Sequence, residues 1–236
     1  MPAKNIIKTY SENGYYHLYN RGVEKRIIFC DEQDYKVFLN YLKLYLEPPP
    51  PIERRIANVG DYSFTAIKRP LNNFNKEIEL MCFCLMPNHF HLLIKQKSLK
   101  SIKTFMQSLL TKYVSYFNRR HKRIGALFQG TYKGILIKND EYLLQLSRYI
   151  HLNPISHFKF DIKDVKVQPL HMTYSSFAEY LELRRTGWVN TDFILSFFKN
   201  AQKMSLKDIL SYQSFVEDYI EKPDENLNKF TLETDM

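Results

Sequence analysis

Two β-type runs, Ile78 to Met86 and His89 to Lys95, are parted only by Pro87 and Asn88, so the chain must double back here as an antiparallel hairpin. The other elements are read around it. Ahead of it, Tyr15 to Asn20 (YYHLYN) is a short aromatic strand ended by Arg21-Gly22. Asp31 can cap a helix running to about Leu46, with Tyr35, Phe38, Leu39 and Leu42 at helical spacing, and the prolines from Pro48 to Pro51 stop it. Residues 52–76 show weak periodicity and read as an insertion or long loop, spanning about 47–77 at its widest, with a small strand at Tyr62 to Ile67. After the hairpin, Lys100 to Arg120 predicts a long amphipathic helix with Ile102, Phe105, Met106, Leu109, Leu110, Tyr113 and Phe117 on one stripe. Thr131 to Ile137 predicts a strand. Asp140 caps a further helix, which Pro154 closes from beyond its end.

Strand, helix, strand, strand, helix, strand is the order of the split β-α-β, or ferredoxin-like, arrangement. The expected fold class is therefore α+β, with a central antiparallel sheet, one more helix after the last strand and a helical C-terminal extension. Residues 1–155 form the main domain, and 156–220 the extension, with helical pieces at Ser175 to Leu183 and Thr191 to Phe198. Residues 221–236 are a polar tail expected to fray.

Charge narrows the function. From Leu80 to Asn139 there is no Asp or Glu, while Lys and Arg number eleven, leaving 23 basic against 25 acidic residues elsewhere. The net charge of +9 is thus concentrated in one block, as in a polyanion-binding surface, although a charge run is more often just a solvated face. Aromatics interleave with the charges (Tyr113, Tyr116, Phe117, Phe128, Tyr132), so bases could stack where phosphates are held. Nucleic acid is the favoured partner. The candidate contacts are Lys112, Arg119, Arg120, Lys122 and Arg123 at the end of the long helix, then Arg148, with Arg21 a weaker one. No stretch approaches the roughly 20 apolar residues of a membrane span. The N-terminus lacks the apolar run of a signal peptide, and three cysteines do not make a disulfide framework, so a cytoplasmic location is expected.

His89-Phe90-His91 is the first candidate for chemistry. On a strand both imidazoles project from one surface, close enough to converge on one ion, while Phe90 points into the core. Alone, such a pair is more often hydrogen-bonded surface. Tyr149 and Asn153 lie four residues apart, so they share a helix face, with Asn153 able to offer a carbonyl oxygen. Read singly, Tyr149 is a half-buried core aromatic. Cys82 and Cys84 beside the two histidines allow a zinc site, but they sit among Met81, Phe83 and Leu85, where buried free cysteine is ordinary. His151, His17 and His121 read as structural or as DNA contacts.

The run LMPNHFHLLIK, followed some sixty residues later by RYIHLNP, resembles the single-tyrosine HUH transposases, in particular the REP-associated tyrosine transposases. YHLYNRGVEKRIIF, GALFQGTYKGILI, YSSFAEYL and WVNTDFIL fit the same pattern in order, so the likeness runs from about residue 13 to 198. The resemblance implies that Tyr149 is the nucleophile, that His89 and His91 are metal ligands, and that Asn153 holds the third-ligand position, where some members carry glutamine. It further implies Mg²⁺ or Mn²⁺ as cofactor, single-stranded and hairpin DNA as substrate, and a monomer or homodimer. The expected activity is cleavage and transfer of DNA strands through a 5′-phosphotyrosine. A catalytically silent nucleic-acid-binding protein is the alternative, and a metallohydrolase acting through water is a third possibility.

Overall fold

The computed structural model describes residues 9–51, 54–59, 62–67, 72–156, 170–203 and 211–221. In chain order the elements are β1 (Tyr15–Arg21), α1 (Glu32–Leu46), β2 (Arg54–Val59), β3 (Tyr62–Ile67), β4 (Ile78–Met86), β5 (His89–Gln96), α2 (Ser101–Arg120), β6 (Lys133–Ile137), α3 (Asp140–Ser156), α4 (Phe177–Tyr180), α5 (Asp192–Lys203) and α6 (Tyr212–Glu221). The main sheet runs β4-β5-β1-β6, each neighbour antiparallel. This is the ferredoxin-like order, as the sequence predicts. A register shift between Leu80 and Cys82 marks a bulge in β4.

The strands are buried on both faces, which explains why β4 and β5 read as nearly continuous apolar runs. On one face Tyr16, Leu18, Phe83, Leu85, Phe90 and Leu92 pack against α1 and α2 through Phe38, Leu42, Phe105 and Leu109. On the other, Cys82, Cys84, Met86 and Leu93 meet α3 and the C-terminal helices through Leu146, Ile150, Phe177, Ile194 and Tyr212. The sheet is thus the middle of three layers, and the extension shares one core with α3.

α1 begins as expected: the Asp31 carboxylate accepts the backbone N–H groups of Gln33 and Asp34. Other details differ from the sequence reading. The segment read as an insertion or loop holds a two-stranded hairpin, β2 as well as β3, with Val59 paired to Tyr62. The residues between them, Gly60-Asp61, are a dipeptide that favours two-residue hairpin connections, a signal outweighed by the mixed polarity around it. α3 is capped by Asn139, not Asp140: the Asn139 Oδ1 accepts from Tyr142 N at 2.8 Å. Pro154 lies inside α3 rather than beyond it. Proline is tolerated there because so few residues follow that its missing N–H costs the helix only one late bond. β6 starts at Lys133 rather than Thr131, and α4 is shorter than the piece read from Ser175 to Leu183. α6 is an additional helix within the extension. The tail expected from 221 lies, past Glu221, outside the described residues.

Candidate active site

The site forms where α3 lies on β4 and β5. His89 and His91 alternate on β5, so both rings leave the α3 face of the sheet, while Phe90 enters the opposite core. The rings stand 4.9 Å apart between centroids, nearly perpendicular. α3 supplies the other side: Tyr149 and Asn153 are one turn apart on it. The Tyr149 ring meets His91 edge-on at 5.6 Å, and Asn153 Oδ1 lies 3.3 Å from His89 Nε2. All four expected site residues are therefore assembled in one buried cluster.

Two further residues belong to it. His17 on β1 is fully buried, and its Nε2 lies 2.8 Å from His91 Nδ1. Register explains the reach: Tyr19 sits directly across from His91, so His17 is its diagonal neighbour. Burial pushes the His17 imidazole down to about 3, so the ring is neutral. The second is Asn88 in the hairpin turn, whose Oδ1 lies 2.7 Å from His89 Nδ1 while its amide N–H donates to the Lys25 carbonyl. Period-2 alternation on YYHLYN could have placed His17 on the same face as the His pair, once β1 was known to neighbour β5.

These contacts decide which ring atoms face the site. Asn88 Oδ1 can only accept, so a neutral His89 carries its proton on Nδ1 and presents a lone pair at Nε2. That lone pair faces the Asn153 carbonyl oxygen, another acceptor. Two acceptors 3.3 Å apart fit two neighbouring ligands of one cation, since bonds of about 2.1 Å place adjacent ligands about 3.0–3.4 Å apart. His89 Nε2, His91 Nε2 and Asn153 Oδ1 are thus a donor set suited to a divalent ion. Cys82 and Cys84 are not suited to it: burial pushes the Cys82 thiol up to about 12 and raises Cys84 as well, and Cys82 Sγ lies against the Tyr180 hydroxyl at 3.1 Å.

The cationic residues divide into groups. Arg21 pairs in register with His89 and so lies on the site face. Lys122 and Arg123 follow α2, where the chain returns to the end of β1 through a hydrogen bond from Val23 N to Leu127 O. Lys112 and Arg119 lie across the sheet, in a cavity of about 700 Å³ between α1 and α2 that includes Tyr41 and Tyr116. Arg120 forms ion pairs with Asp31 at 2.7 Å and with the buried Asp34. Arg148 is directed toward α6, its guanidinium 4.5 Å from the Phe215 ring centroid. The structure therefore does not gather the seven around the His pair. His151 is structural, with Nδ1 at 2.7 Å from the Tyr212 hydroxyl and Nε2 at 2.8 Å from Ser176 Oγ. His121 binds the Asp34 carboxylate at 3.0 Å. Cys30 and Asp34 lie close enough to His121 to suggest a metal group, but Tyr116, Arg120 and the Cys30 backbone already saturate that carboxylate.

Residues 64–153 match the family model described as transposase IS200 like. This segment is similar to that family over less than half of the chain. The match runs from β3 through α3 and takes in His89, His91, Tyr149 and Asn153, ending on the last of them. It leaves β1, with His17, outside. A solved structure described as a REP-associated tyrosine transposase bound to a REP hairpin is also similar, with a TM-score of 0.48, 12% identity, and coverage of 79% of this chain and 88% of that one. No curated protein matches the chain in sequence. Among the described residues, no helix is long and apolar enough to cross a membrane.

Proposed function

We propose that this protein is a metal-dependent DNA strand transferase that cuts and rejoins single-stranded DNA carrying a hairpin, with Tyr149 as nucleophile. The observation that carries the reading is the meeting of His89 Nε2 and Asn153 Oδ1, two acceptors at cation-bridging distance, with the Tyr149 ring against His91. Its place within the segment that matches the IS200-like transposase model supports the same chemistry.

In this reading Tyr149 Oη attacks the scissile phosphorus. A bond from the phenol oxygen to phosphorus forms, the bond from phosphorus to the 3′ oxygen breaks, the phenol proton leaves, and the 3′ oxygen gains one. One DNA end is then joined through its 5′ phosphate to Tyr149. A second 3′ hydroxyl can reverse the step onto a new strand without an external energy source, because the phosphotyrosine conserves the bond. His89, His91 and Asn153 would hold Mg²⁺ or Mn²⁺, which would draw charge from the phosphate and favour departure of the 3′ oxygen. An unperturbed phenol titrates near 10, so it is a weak nucleophile at neutral pH without such help. Arg21, paired in register with His89, is the basic residue best placed to steady the phosphates beside the site, in a monomer or homodimer acting in the cytoplasm.

Incubation with hairpin-tailed single-stranded DNA and Mn²⁺ should give cleavage that chelation abolishes and that His89→Ala reduces at least a hundredfold. Cleavage of equal rate in His89→Ala would overturn the metal role. Tight binding with no cleavage at any metal concentration would favour the binding-protein alternative.

A further inference from the structure

We infer that His17, on a strand outside the transposase match, is a positioning residue that fixes the tautomer of His91 so that its Nε2 faces the ion. The inference rests on the metal reading above and assigns to it a residue that the family match leaves outside.

His17 Nε2 and His91 Nδ1 lie 2.8 Å apart, so one donates and the other accepts. For His91 to offer a lone pair at Nε2, its single proton must sit on Nδ1, and His17 Nε2 must accept it. The surroundings of His17 hold the ring in place. It is fully buried, and its Nε2 has the His91 ring as its hydrogen-bond partner among the described residues. The rings are held nearly parallel, 5.0 Å between centroids, with Tyr19 stacked beside both. Stacking limits rotation about χ2 and keeps Nε2 aimed at His91.

His89 shows the same logic with a different partner: Asn88 accepts from its Nδ1 and leaves Nε2 for the ion. Each imidazole of the pair is thus held from behind, one by a turn amide and one by a neighbouring strand. Such outer partners of metal-bound histidine commonly change affinity by about 10–100-fold when removed.

The test compares the full chain with His17→Phe, which keeps ring bulk but cannot accept, and His17→Gln, whose amide oxygen falls near the position of Nε2. Calorimetric titration with Mn²⁺ alone should show affinity lowered about 10–100-fold in the Phe variant and kept within about threefold in the Gln variant. If the Phe variant fails to fold by circular dichroism, Gln against Asn, whose shorter amide falls away from His91, carries the same comparison. Nitrogen-15 spectra of the metal-free protein should place the His91 proton on Nδ1, and the Phe variant should shift it toward Nε2. Affinity equal in His17→Phe and the unaltered chain, or a His91 proton on Nε2 in the unaltered chain, would overturn the role of His17 alone. Mn²⁺ binding no tighter in the unaltered chain than in His91→Ala would instead overturn the metal reading, and the role of His17 with it.

Discussion

His17 and His151 are both fully buried and neutral, yet they are buried for different purposes. His151 is satisfied at both nitrogens, by Tyr212 and Ser176, and ties α3 to the C-terminal helices. His17 touches the site through one nitrogen only. Burial pushes His151 from 6.5 to about 3. Between those values the unfolded chain binds the extra proton and the folded chain does not, so stability falls as the pH is lowered through that window. The slope from this one residue is at most about 1.4 kcal/mol per pH unit. Urea unfolding at several pH values should show that His151→Gln flattens the dependence by about that amount between roughly pH 4 and 6. Parallel curves for the two proteins would show that His151 is not held neutral. The Tyr149 and Asn153 pairing was legible because spacing of four on a helix is unambiguous. The role of His17 was not, because a histidine in a strand reveals its neighbours only when the strand order is known.

At the level of elements, α3 is the least forgiving. α3 must present Tyr149 and Asn153 to β5 while burying Leu146 and Ile150 on the same sheet face. Its start is fixed by Asn139, whose side chain satisfies the Tyr142 N–H. Asn139→Ala should lower the unfolding free energy by about 1 kcal/mol, measured by urea denaturation, without changing the residues of the site. A change below about 0.2 kcal/mol would show that another group supplies the cap. The boundaries of α3 were the weakest part of the sequence reading. Asn139 and Asp140 are both good caps, and proline near a helix end is ambiguous between a stop and a tolerated last turn. The β4-β5 hairpin and α2 were plain by contrast, since apolar runs around a two-residue turn and a long amphipathic stripe admit few other folds. β2 was missed because Arg54 to Val59 carries no clean alternation, and a strand of that kind shows itself only through its partner.

For the whole molecule, the three-layer arrangement sets what charge can do. The acid-free block from Leu80 to Asn139 was plain in the sequence, but which layer each cation joins was not. α2 lies across the sheet from the His pair, so its Lys112 and Arg119 are far from α3, and Asp31 and Asp34 engage Arg120. The extension is bound into the layer that carries Tyr149, with Phe177, Ile194, Tyr212 and Val216 in the same core. A chain ending at Ser156 should therefore fail to unfold cooperatively on heating, even though it retains every site residue. A sharp calorimetric transition near that of the full chain would contradict the shared core. The central claim is that folding delivers the phenol of α3 to the imidazoles of β5 as a nucleophile. Mass spectrometry of the protein after reaction with hairpin-tailed single-stranded DNA and Mn²⁺ tests it most directly. The account predicts a denaturant-resistant 5′-phosphate adduct on Tyr149 that Tyr149→Phe abolishes while DNA affinity stays within a few fold; an adduct on another residue, or cleavage that survives Tyr149→Phe, would contradict it.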